Sequence, residues 1–157
     1  MEDMYAKAEQ ILDFLRDIEL VVAELYRRFS RSFAEDRVIW EDLSQDEEGH
    51  ATMVTELKRT LLKNGSPFEV GKINLASLTT YRRGIENNLG RLQRGELGRQ
   101  NALFIARDFE RTLIEHHFYE SIRSDNPEYR VIRDKIKKET ELHLQKLENY
   151  IRTLFPI

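Results

Sequence analysis

Glu47 and His50 stand three residues apart in the stretch DEEGHA, residues 46–51. On a helix that spacing puts a carboxylate and an imidazole on one face, one turn apart. Facing solvent, such a pair means little. Facing inward, it can hold a metal or form a buried hydrogen-bonded pair. The chain has no cysteine. Thiolate nucleophiles, disulfides, thiolate zinc sites and iron–sulfur clusters are therefore excluded, and any metal must be held by carboxylate and imidazole.

The elements that must position these groups are helices. The 157 residues fit one domain, residues 1–157, and can bury a real core. Prolines and glycines cluster within residues 64–100, leaving long stretches on either side that are broken only by Gly49 in the first and by SDNP, Ser124 to Pro127, in the second. The first stretch is too long for one globular helix, so a turn is expected near Ala34 to Asp36. The pattern predicts helices over about 4–34, 37–63, 101–123 and 127–154. Asn126 is a natural N-cap and Pro127 a natural first helical residue for the last of them. The crossover, residues 64–100, begins with the break NGSP and keeps Leu75, Leu78, Ile85, Leu89 and Leu92 at helical period, so a short extra helix is expected within it. The expected fold is all-α, a four-helix bundle of two helical hairpins joined by a long crossover.

Reading each helix at bundle spacing gives four inner stripes. They are Leu12, Leu15, Glu19, Val22, Tyr26, Phe29 and Phe33; Trp40, Leu43, Glu47, His50, Val54, Leu57 and Leu61; Leu103, Ala106, Glu110, Leu113 and His117; and Ile136, Thr140, His143, Leu147, Tyr150 and Leu154. All are apolar except at their middles. The polar members lie at similar distances from their hairpin turns, which at about 1.5 Å per residue places them in one slab of the bundle. Three converging buried carboxylates would repel or retain protons, and no Lys or Arg falls on the stripes. Two divalent cations would bring four positive charges against those three negative ones. The pattern of one Glu from each of two helices and Glu-x-x-His from each of the other two belongs to carboxylate-bridged dimetal bundles.

With ELVVAELY around Glu19 and Tyr26, DLSQDEEGHA around Glu47 and His50, DFERTL around Glu110 and ETELHLQKL around His143, essentially the whole chain resembles a rubrerythrin-type member of the ferritin-like di-iron carboxylate proteins. The resemblance implies terminal metal ligands at Glu19 and Glu110, a bridge at Glu47, and one imidazole per metal from His50 and His143. It also implies two iron ions, or a mixed iron–manganese pair, and redox chemistry on O2 or peroxide. The chain departs from the pattern at Thr140, where a second bridging Glu would stand, and at Leu113, where rubrerythrins carry an extra Glu. The second metal is thereby left less fully provided for. Glu139 starts about 100° away around the helix but could swing in. His117 could complete the shell or orient a ligand. Tyr26 reads as core packing with a hydrogen bond.

No cysteine-rich iron segment accompanies the bundle, so an external electron donor is expected. Two other readings stay open, a metal-binding or iron-handling protein without turnover and a metal-free bundle acting through partners. A homodimer through a helix face is compatible with the pattern, though no stripe singles one out. The net charge of −3 gives no footprint for nucleic acid, and no apolar run is long enough for a membrane span. The acidic, polar start MEDMYAKAEQ is unlike a signal peptide, and a cytoplasmic location is expected.

Overall fold

The computed structural model describes residues 2–63, 65, 67–72 and 75–156. The chain is mostly helical. Helix α1 (Glu2–Ser32) buries Ile11, Leu12, Leu15, Ile18, Val22, Leu25, Tyr26 and Phe29, an apolar stripe of helical period. A short 3-10 turn, Ala34–Asp36, reverses the chain where the sequence placed a turn. Helix α2 (Arg37–Lys63) returns along α1. Of the expected NGSP break, Asn64 and Ser66 lie outside the described residues, and Gly65 takes a left-handed φ of 56° that suits glycine.

The crossover holds more structure than expected. Phe68–Val70 forms strand β1, and α3 (Leu75–Gln93) is a substantial helix that packs Leu78, Tyr81 and Ile85 inward, against α1. Helix α4 spans Arg99–Glu115, with Asn101 Oδ1 accepting the Gly98 N–H at its start. Helix α5 spans Pro127–Leu154, and the Asn126 side chain caps it by accepting the Glu128 N–H at 2.9 Å. The long helices pack in two pairs, α1 with α2 and α4 with α5, and α2 also lies against α5.

The third helix does not run over 101–123 as its periodicity suggested. It stops at Glu115, His117 adopts a left-handed φ of 50°, and a 3-10 turn, Phe118–Glu120, leads into strand β2 (Ile122–Ser124). Strand β2 pairs antiparallel with β1, in the register Phe68↔Ser124, Glu69↔Arg123 and Val70↔Ile122. Ile122 and Ser124 are buried and Arg123 is exposed, the two-residue alternation of a strand. The two-stranded ribbon is the one departure from an all-helical chain among the described residues. None of their helices is long and apolar enough to cross a membrane.

Candidate metal centre

Six buried polar residues occupy the middles of four helices: Glu19 on α1, Glu47 and His50 on α2, Glu110 on α4, and Thr140 and His143 on α5. The apolar residues one turn away on each stripe fix this geometry. Burying Leu15 and Val22 turns Glu19 inward, and burying Leu43 and Val54 does the same for Glu47 and His50. All five expected ligands come together.

Glu47 is the centre. Its Oε2 lies 3.3 Å from His50 Nδ1, and its Oε1 lies 2.9 Å from His143 Nδ1. His50 Nδ1 is also 3.8 Å from Glu19 Oε2, and His143 Nδ1 is 3.9 Å from Glu110 Oε1. The cluster thus divides into two halves, each pairing one hairpin's terminal carboxylate with the same hairpin's imidazole, and both halves meet on Glu47. The imidazole rings stand face to face with centroids 5.2 Å apart.

Around this centre the two hairpins exchange support. His50 Nε2 donates to Glu139 Oε2 at 2.7 Å, and His143 Nε2 donates to Asp46 Oδ2 at 3.0 Å. Each carboxylate sits four residues before the histidine of its own helix and reaches the histidine of the other. Tyr119, which follows α4, donates to Glu19 Oε1 at 2.5 Å, while Tyr26 on α1 donates to Glu110 Oε1 at 2.8 Å. An approximate internal two-fold therefore relates Glu19, His50, Tyr119 and Glu139 to Glu110, His143, Tyr26 and Asp46. Under the same relation Thr140 corresponds to Glu47.

Glu139 thus swings toward the cluster and bonds the far side of His50's ring. Thr140 is buried, with its hydroxyl donated to the Ile136 carbonyl at 2.9 Å. His117 is the correction. It is exposed beyond the end of α4, with Nδ1 paired to Glu120 Oε2 at 3.1 Å, and takes no part in the cluster. Asp46 and Tyr119 are additions. Asp46 could have been found by aligning DEEGH with ETELH, since a carboxylate opens both. Tyr119 reaches inward only because α4 ends early.

Burial dominates the electrostatics. It pushes the Glu47 carboxyl well above the usual range, and the neighbouring Glu19 charge pushes it further. Burial likewise raises Glu110, with help from Glu47. For Glu19, burial would raise the carboxyl, but the close approach of Glu47 and His50, with the Tyr119 hydroxyl, outweighs it and the carboxyl is lowered. Burial would depress His50, but the adjacent carboxylates of Glu19 and Glu47 prevail and raise it to about 12. Tyr26 and Tyr119 are held well above their ordinary value, first by burial and then by Glu110 and Glu19 respectively, so both remain donors. Without a cation the cluster must keep protons to stay near neutral.

The donor set fits a metal. Glu19 Oε2, Glu47 Oε1 and His143 Nδ1 are fully buried without a hydrogen bond; the last two are 2.9 Å apart but misaligned for one. Both rings are anchored through Nε2, which turns Nδ1 toward the carboxylates, the arrangement that orients a ligating imidazole. Donor atoms of Glu47, His50 and His143 all lie within 4.8 Å of one another. Carboxylate oxygens with imidazole nitrogens suit iron, manganese or zinc. Comparison of the chain with protein-family models, curated proteins and solved structures gave no match in any of the three, so the reading of this centre rests on its own residues.

Proposed function

We propose that the chain is a ferritin-like di-iron, or mixed iron–manganese, carboxylate protein of rubrerythrin type, reducing O2 or peroxide with electrons from an external donor. In this reading α1, α2, α4 and α5 form the four-helix bundle and α3 runs in its crossover. The observation that carries it is the pair of inward Nδ1 atoms on either side of one buried carboxylate, each ring fixed from behind by a carboxylate of the opposite hairpin.

Glu19, His50 and one oxygen of Glu47 would hold the first ion. Glu110, His143 and the other oxygen would hold the second. Bound reduced metals supply the electrons for O–O cleavage. The chain supplies the rest. Tyr119 and Tyr26 hold the terminal carboxylates in place. Asp46 and Glu139 fix ring orientation. Buried Leu15, Val22, Leu43, Val54, Leu113 and Leu147 keep bulk water from the cluster.

Thr140 favours a second reading, a metal-binding protein without turnover, because only one carboxylate stands between the imidazoles. Elemental mass spectrometry on protein made with iron and manganese supplied tests both, with Glu47→Ala as control. About two metals per chain, lost in the control, support the dinuclear reading, and turnover with peroxide and an added reductant then separates catalysis from storage. No metal after anaerobic reconstitution with ferrous iron overturns both.

A further inference from the structure

Trp40 is the buried polar group that the proposed chemistry leaves unused. It is the chain's only tryptophan, it is fully buried, and its Nε1–H has no hydrogen-bond partner among the described residues. A buried indole N–H normally finds an acceptor, so an unpaired one asks for a reason. The Trp40 ring lies against Tyr26, with centroids 5.5 Å apart, and Tyr26 donates to Glu110 Oε1 at 2.8 Å. Trp40 stands in the first turn of α2. From it Phe29, at 4.8 Å, and then the half-buried Phe33 continue the ring contacts to the α1–α2 turn. A line of aromatic rings thus runs from the metal centre to the end of the first hairpin. Under the internal two-fold Trp40 corresponds to Arg133, so the line belongs to one half alone.

We propose that Trp40 and Tyr26 form a two-station relay that passes single electrons from the α1–α2 end to the metal centre. The use of the relay rests on the dinuclear reading above; its existence does not. Indole and phenol rings give up one electron far more readily than phenyl rings, so Phe29 and Phe33 are packing and the other two are stations. The stations differ in the fate of the proton. Tyr26 yields an electron to the oxidised centre, its O–H bond breaks, and the proton passes to Glu110. Trp40 then yields an electron to the Tyr26 phenoxyl radical, which takes the proton back. With no acceptor at Nε1, the Trp40 radical cation keeps its own proton and stays the stronger oxidant of the two. The external one-electron donor refills it. One electron leaves the donor, one reaches the centre, and no proton is gained or lost. The unpaired N–H thereby has its reason: an acceptor there would take the proton and strand the charge on the indole.

The test starts at the indole and needs no iron. Intense near-ultraviolet pulses, at wavelengths that indole absorbs and phenol does not, eject an electron from the frozen protein into the surrounding ice. Every such charge begins on Trp40, the only tryptophan. Electron paramagnetic resonance identifies the radical before and after annealing, in metal-free protein and with redox-inert Zn(II) supplied. Conversion of a tryptophan radical into a tyrosyl radical is expected in at least one of the two states. In Y26F the tyrosyl signal should be lost while the tryptophan radical persists, and in W40F neither should form. Should Y26F fold poorly, the wild-type protein still decides whether the charge leaves the indole for a phenol. A wild-type tryptophan radical that anneals away with no tyrosyl in either state overturns the proposal, and so does conversion that survives in Y26F. Absence of metal from the protein would remove the relay's use without altering this conversion, so the two failures are distinguishable.

Discussion

Asp46 touches no metal in the reading above, yet it decides which face of His143 is offered to the centre. Its bond to Nε2 leaves Nδ1 as the inward atom. Asp46→Asn keeps the size and removes the charge. It should weaken metal binding by about 10- to 100-fold, as loss of such a ring partner typically does, with stability of the metal-free protein changed by less than about 1 kcal/mol. Metal titration alongside urea denaturation checks both halves. The five ligand candidates were legible because a Glu or His on an otherwise apolar stripe is conspicuous. Asp46 was not, because its side chain leaves its own stripe to reach a neighbouring helix. Glu139 was legible as a nearby carboxylate but not as the partner of His50, since nothing local says which helix it will face.

At the scale of the element, α1, α2 and α5 followed from periodicity, caps and turn signals, whereas the end of α4 did not. From Glu115 to Ile122 the sequence holds no Gly or Pro, and its apolar residues continue at roughly helical spacing. What stops the helix is distant in sequence, the pairing of Ile122–Ser124 with Phe68–Val70. A left-handed conformation costs a residue with a Cβ about 1–2 kcal/mol, and His117 adopts one at φ 50°. His117→Gly relieves that strain but adds about 0.4–1 kcal/mol of unfolded-state entropy, so the stability change should stay within about 1 kcal/mol. Metal content should be unchanged. A loss of metal in this variant would show that His117 reaches the centre after all.

At the scale of the molecule, one ionic cluster joins three elements. Asp36, buried in the α1–α2 turn, accepts two bonds at 2.7 Å from Arg99 at the start of α4 and one at 2.5 Å from Tyr150 near the end of α5. Burial alone would raise the Asp36 carboxyl, but Arg99 and Tyr150 prevail and hold it below its ordinary value. A carboxylate depressed in the folded state adds stability at pH values above its unfolded pKa, and that contribution fades as pH falls through the folded one. Arg99→Ala should cost about 3 kcal/mol at neutral pH, since it leaves a buried charge without its ion partner. Urea denaturation of wild-type and variant should also converge as the pH drops below about 4. A constant gap down to pH 2 would contradict this account.

The exchanged carboxylates and tyrosines carry one more consequence. Two separate, identical hairpins meeting on a true two-fold axis would have to place the same residue at both central positions, because an isologous contact repeats every side chain. Here residues 64–98 join the halves in one covalent chain, and each half is free to change alone. Position 140 has used that freedom and position 47 has not. Covalent linkage is therefore what permits a lopsided centre, with a carboxylate at one central position and only a hydroxyl at the other.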